Sequence, residues 1–129
     1  MADFNEKLNE LNNTKDTTSE FDASDIENNK VMGILAYISI LVLVPILVAK
    51  ESKFARFHAN QGLVLFIASV VSGIIIGILG MFPFIGWIFR LAGAAIEIIT
   101  IVLMVIGIVN AANGKAKELP IIGSIKILK

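Results

Sequence analysis

Three long apolar runs, separated by short polar or punctuated stretches, organise the chain beyond residue 30. The first, residues 31–49 (VMGILAYISILVLVPILVA), is 19 residues long and carries no charge. As a helix it would rise about 28 Å, close to a hydrocarbon core of about 30 Å. Pro45 lies near its far end, where the carbonyl that a proline frees is tolerated best. The second run, 62–81, is 20 residues long and again uncharged. Pro83 and Gly86 then break the pattern as a tight turn at a membrane surface would. The third run, 87–112, is interrupted only by Arg90 and Glu97. From residue 91 onward it would rise about 33 Å, enough to cross with some tilt. The pattern therefore predicts an all-α, polytopic helical membrane protein with three transmembrane helices, 31–49, 62–81 and 87–112.

The polar stretches predict what lies between and beside the spans. In residues 50–61 (KESKFARFHANQ), helical spacing puts Lys53, Arg56 and Asn60 on one face and Phe54, Phe57 and Gln61 on another. That is the pattern of a short interfacial helix, with aromatic rings at the headgroup boundary. Residues 115–129 alternate lysine with isoleucine and leucine. They are too short and too charged to cross, so a second interface-lying segment is expected, with Ile121, Ile125 and Leu128 on one helix face. Within it Pro120-Ile121-Ile122-Gly123 echoes Pro83-Phe84-Ile85-Gly86. Residues 1–30 read as a flexible acidic tail outside the membrane domain of 31–129. Phe4, Leu8 and Leu11 share a face of one short helix there, too short to be stable alone.

Charge divides the chain at the same place. Residues 1–30 hold eight acidic side chains against three lysines, and residues 31–129 hold three against eight basic ones, so the formal net charge of zero hides two opposite halves. At 56% apolar, above the 45–50% usual for soluble domains, this is no soluble enzyme. No basic stripe long enough to neutralise many phosphates exists, which excludes a nucleic-acid partner. There is no cysteine, hence no disulfide and no thiolate metal site. Basic residues cluster at Lys50, Lys53 and Arg56 and again at Lys115, Lys117, Lys126 and Lys129, with Arg90 alone near the turn. Three spans and the positive-inside rule then place loop 50–61 and the C-terminus in the cytoplasm of a bacterial cell and the acidic tail outside. Anionic lipid headgroups are the expected partners of Lys53, Arg56, Lys115 and Lys117.

Two helix faces read as packing surfaces. Ser69, Gly73 and Gly77 recur at four-residue steps in the second run, and small residues so spaced let helices approach closely in lipid. In the third run Arg90, Gly93, Glu97, Thr100, Met104, Gly107 and Ala111 form a seam of alternating three- and four-residue steps. That seam is the expected partner of the glycine face, and the line along which self-association or contact with another membrane protein would form. Glu97 lies inside the span, where an unpaired carboxylate costs at least a few kcal/mol. Its expected role is structural, held by a polar neighbour, with Arg90 or Tyr37 as candidates. His58 is the only histidine, and with no second strong ligand beside it a packing and hydrogen-bonding role is expected rather than metal binding.

The motif set Leu35-Ala36-Tyr37, Phe54-x-x-x-His58-x-x-Gln61-Gly62, Pro83-x-Ile85-Gly86-Trp87, Asn110-Ala111-x-x-Gly114 and Leu119-Pro120-x-x-Gly123 resembles a family of small bacterial membrane proteins grouped with the chloroplast inner-envelope protein-import component. The resemblance implies a helical membrane subunit that works with protein partners. Arg56, Phe57, Asn60, Asn110 and Pro120 are the candidate residues it adds to those above. One histidine and no clustered carboxylates leave neither an acid–base pair nor a cofactor site, so no enzyme is expected. The expected function is a non-enzymatic subunit or scaffold, in protein translocation or insertion or in immunity to a membrane-active peptide. The alternative is a small oligomeric channel or transporter lined by Arg90 and Glu97.

Overall fold

The computed structural model describes residues 2–128, without the side chains of residues 2–5 and 8. Six α-helices follow in order: α1 (Ala2–Leu11), α2 (Ala23–Asn28), α3 (Lys30–Leu35), α4 (Leu43–Val48), α5 (Lys53–Leu79) and α6 (Gly86–Ala112), with 3-10 turns at Thr18–Glu20 and Ser39–Val42. The protein is an all-α integral membrane protein. Its frame is the antiparallel hairpin of α5 and α6, each 27 residues long and apolar enough to cross a membrane. Only 17% of the most apolar stretch of each is buried. Ile67, Val71, Ile74, Ile78, Ile98, Ile101 and Val105 are therefore exposed to lipid rather than gathered in a core. Ser52 starts α5 by accepting the backbone N–H of Ala55 at 3.0 Å, an ordinary N-cap.

The hairpin turn uses the Pro-x-Ile-Gly motif, and so does the C-terminal segment, with the same backbone. Phe84 and Ile121 each have φ of 70°, and the residue after each donates to the proline carbonyl, at 2.9 Å from Ile85 to Pro83 and 2.7 Å from Ile122 to Pro120. These are γ-turns of the strained kind. The following glycine admits a backbone oxygen: a Cβ on Gly86 would lie 2.4 Å from the Gly80 carbonyl, and one on Gly123 2.3 Å from that of Leu119. The echo seen in the sequence is thus a repeated turn that pushes an apolar side chain outward, leaving Phe84 94% and Ile121 82% exposed.

The first apolar run departs from expectation. Residues 31–49 do not form one continuous helix; α3 ends at Leu35, and the chain bends through Ser39 (φ 48°) before α4. Contacts with the hairpin cause the break. The carbonyl of Ala36 occupies the place of the missing side chain of Gly62, where a Cβ would sit 1.7 Å from it, and the Tyr37 ring lies on Gly107. The run also begins and ends at one end of the hairpin, since the Ser52 hydroxyl donates to Asp25 at 2.5 Å. It dips into the bundle to the level of Gly62 and Gly107 and returns.

That path gathers both terminal segments and the 50–61 stretch into one layer, the base. Residues 53–61 are the first turns of α5 and not a separate interfacial helix, and Phe54, Ala55, His58, Ala59, Asn60 and Gln61 are buried. Residues 115–128 form turns and extended chain rather than an amphipathic helix. The acidic segment from Asn12 onward is docked and not a flexible leader: Thr17 N–H donates to the Ala116 carbonyl at 2.9 Å and Glu118 N–H to that of Lys15 at 3.0 Å. An N-terminal segment outside the cell with the C-terminal segment inside is incompatible with these bonds, so the opposite-side arrangement is corrected. The error follows from counting 31–49 as an uninterrupted crossing. The predicted apolar face of α1 falls partly on Phe4 and Leu8, whose side chains lie outside the described residues.

Candidate functional site

The polar residues of α5 converge on the chain's own C-terminal segment. Asn60 donates to the Ile125 carbonyl at 2.9 Å, and its side-chain oxygen accepts the N–H groups of Ile127 and Leu128 at 2.6 and 2.8 Å. Gln61 donates to the Gly123 carbonyl at 3.0 Å and accepts the Leu119 N–H at 2.9 Å. His58 Nε2 lies 2.9 Å from the Lys115 carbonyl. A carbonyl can only accept, so Nε2 carries a proton. Nδ1 lies 2.5 Å from the Tyr37 hydroxyl, and a neutral ring accepts there. One imidazole thus joins the re-entrant segment, α5 and the C-terminal segment. Both ring nitrogens are occupied within the chain.

A second set of contacts ties down the N-terminal segment. Asp25 accepts the Ser52 hydroxyl and the Phe54 N–H, the latter at 3.0 Å. Asn12 and Asn110 exchange amide hydrogen bonds at 2.9 and 3.0 Å. The Thr18 hydroxyl and N–H, with smaller help from nearby lysines, hold the Asp16 carboxyl below the usual carboxylate range. Phe21 meets Phe54 and Phe57 edge-on, at centroid distances of 6.3 and 5.8 Å. Among the described residues no buried side-chain polar atom lacks a partner. Arg56, Phe57, Asn60 and Lys126 border a cavity at the edge of this layer, and Pro120 is buried in the turn that carries the Gln61 contacts.

The membrane half behaves differently. A Cβ on Gly73 or Gly77 would meet nothing within 4 Å, whereas one on Gly93 would strike Ile76 at 2.6 Å and one on Gly107 the Tyr37 ring at 2.3 Å. Gly33 packs on Ala111. Along the predicted faces, close approach is therefore made by Gly93 and Gly107 of α6 and not by Gly73 and Gly77 of α5, whose close contact is made lower down, by Gly62 against Ala36. Arg90 and Glu97 are both exposed and no ion pair joins them. Glu97 lines a cleft of about 300 Å³ with Tyr37, Ser39, Ser69 and Thr100. Asp25, Tyr37, Asn12 and Phe21 are the contributors that sequence reasoning passed over as site residues. Only Tyr37 had a signal, as the one polar ring in an apolar run.

A two-helix membrane frame, a re-entrant segment and a hydrogen-bonded base define a small, helix-packed membrane protein. Residues 28–128 match the magnetosome magnetite crystal formation protein family, and the chain belongs to it. It is 33% identical to the magnetosome protein MmsF of Paramagnetospirillum magneticum over 93 residues, 71% of this chain and 79% of that one. To magnetosome protein MamF of the same organism it is 33% identical over 94 residues, 72% of this chain and 78% of the relative. A UPF0132 membrane protein of Methanocaldococcus jannaschii is 33% identical over 95 residues, covering 72% of this chain but 64% of its own length, so the chain spans under two thirds of that relative. No solved structure matches. The family assignment overturns the likeness to the chloroplast import component. The motifs from Leu35 to Gly123 on which that likeness rested all fall inside the matched residues, and the specific translocation role attached to it falls away.

Proposed function

We propose that the protein is a structural component of a magnetosome-type membrane assembly, anchored by α5 and α6 and presenting the base to its partners. The observation that carries this reading is where the polar groups are spent. His58, Asn60, Gln61, Asn110 and Asp25 all hold the chain to itself, which makes a rigid platform rather than a reaction centre. The base is assigned to the cytoplasmic side of a bacterial cytoplasmic membrane, or of a membrane derived from it. Lys50, Lys53, Arg56, Lys115, Lys117, Lys126 and Lys129 lie at that end of the sequence pattern and Arg90 alone near the other.

The test is crosslinking in native membranes, followed by affinity purification and mass spectrometry. A fixed set of other membrane proteins, recovered in constant stoichiometry, is expected. Recovery of the chain with copies of itself alone, together with ion flux in proteoliposomes that Glu97→Gln abolishes, would replace this reading with the oligomeric pore. That alternative is favoured by one observation, the exposed Glu97 with no hydrogen-bond or ion-pair partner among the described residues.

A further inference from the structure

Glu97 stands at the depth where a carboxyl group is most costly. α6 runs for 27 residues, about 40 Å, and Glu97 lies about 17 Å from its start, near the middle of a hydrocarbon core of about 30 Å. The side chain is exposed on the lipid-facing wall, and among the described residues it has no hydrogen-bond or ion-pair partner. Two clefts meet at it. One has Tyr37, Ser39 and Thr100 on its walls. The other, of about 230 Å³, lies toward the far turn, between Ser72 and Gly73 of α5 and Arg90 and Gly93 of α6. Ser69 and Glu97 line both, so the two form one groove along the hairpin.

The groove is rich in acceptors and poor in donors. The hydroxyls of Ser69, Ser72 and Thr100 donate to the carbonyls of Leu65, Ser69 and Ile96 at 2.9, 3.2 and 2.9 Å. Their oxygens, like those of Glu97, are left to accept. Arg90 borders the far end, but it stands about 10 Å along the axis from Glu97 and makes no ion pair with it. Beside the acceptors the wall is low, since a Cβ on Gly73 would meet nothing within 4 Å.

We propose that this groove docks a transmembrane helix of another membrane protein, with a lysine or arginine side chain hydrogen-bonded to Glu97 at mid-depth. The open glycine lets a helix approach closely, and the basic side chain supplies the donors that the groove lacks. A second copy of the chain does not meet that need. It would share the same sidedness, and Arg90 is the only lysine or arginine between Arg56 and Lys115, at the wrong depth. The copy would bring a second carboxyl instead. The proposal rests on the reading of the protein as part of a membrane assembly, and adds to the base a contact inside the bilayer.

The full chain in phosphatidylcholine vesicles tests the groove by energy transfer from Trp87, the only tryptophan. The probes are dansyl-labelled leucine–alanine helices capped by lysines and differing at one central residue, which is lysine, leucine or glutamate. The helix with central lysine should associate at least tenfold more tightly than the other two. Gly73→Leu should weaken that association at least fivefold by filling the groove, without lowering the unfolding temperature. Glu97→Leu/Ile99→Glu, which moves the carboxyl to the opposite side of α6 at nearly the same depth, should abolish the preference for lysine. Should that variant fail to fold, Gly73→Leu decides alone. Equal binding of the three helices, a preference that follows the moved carboxyl, or binding indifferent to Gly73→Leu would overturn the proposal. So would energy transfer between copies labelled at Ser124→Cys that Gly73→Leu abolishes, which would give the groove to self-association. No helix binding in vesicles, beside a fixed partner set from native membranes, would sink the groove and leave the assembly standing.

Discussion

Gly62 and Gly73 occupy the same helix, yet substitution should separate them completely. Gly62→Ala drives a methyl group into the Ala36 carbonyl, 1.7 Å from the ideal Cβ. Backbone cannot yield as a side-chain tip can, so about 3 kcal/mol or more should be lost, at the upper end of overpacking costs. Gly73→Leu/Gly77→Leu points into open space and should stay within about 0.5 kcal/mol of the parent, as for exposed sites without special contacts. Thermal unfolding in one detergent compares the two; a heat-labile Gly73→Leu/Gly77→Leu would mean that the α5 small face is packed after all. Ile121 gives a test of strain. A β-branched residue at φ 70° stores about 1–2 kcal/mol, and with its side chain 82% exposed little packing opposes its removal. Ile121→Gly should therefore unfold at an equal or higher temperature. A clear drop would show that the exposed isoleucine is packed against something in the purified protein.

Among the elements, the C-terminal segment is the one on which the base depends. Residues 120–128 supply the carbonyls of Gly123 and Ile125 and the N–H groups of Ile127 and Leu128 to Gln61 and Asn60. Asn60→Leu/Gln61→Leu would leave those groups and the Leu119 N–H without their side-chain partners, at about 1–3 kcal/mol for each of the two buried ones, the Gly123 carbonyl and the Leu119 N–H. The base should then become sensitive to protease near residues 115–128 while α5 and α6 stay inserted, as limited proteolysis of membranes would report. Unchanged protection would mean that burial alone holds the segment. The sequence made the two hairpin helices readable because length and absence of charge suffice to define a crossing element. The same criteria misled at residues 31–49, where 19 uncharged residues fit a straight helix as well as a bent one. What decides between them is Ala36 against Gly62 and Tyr37 between His58 and Gly107, contacts remote in sequence. Residues 53–61 were misplaced for a related reason. Their amphipathic spacing looked like a membrane surface, but the surface they meet is the chain's own ends.

On the scale of the whole molecule, the return of residues 31–49 to the base sets the sidedness. With α5 and α6 as a hairpin, both terminal segments must lie on one side of the membrane, and the turn at Gly80–Ile85 on the other. The hydrogen bonds between residues 15–18 and 116–118 make this a demand of the fold, independent of charge. Charge enters only in choosing which side, where the basic residues of the base favour the cytoplasm. The chain has no cysteine, so single-cysteine variants carry no background. Ser19 and Ser124 are exposed at the base, and Met81 is 82% exposed at the far turn. With an impermeant maleimide on intact cells, Ser19→Cys and Ser124→Cys should both stay unlabelled until the cells are permeabilised, and Met81→Cys should react from outside. Labelling of Ser19→Cys and Ser124→Cys together, with Met81→Cys protected, would invert the assigned orientation but leave the fold standing. Labelling of one base position without the other would break the hydrogen-bonded base itself, since no membrane can pass between residues held 2.9 Å apart.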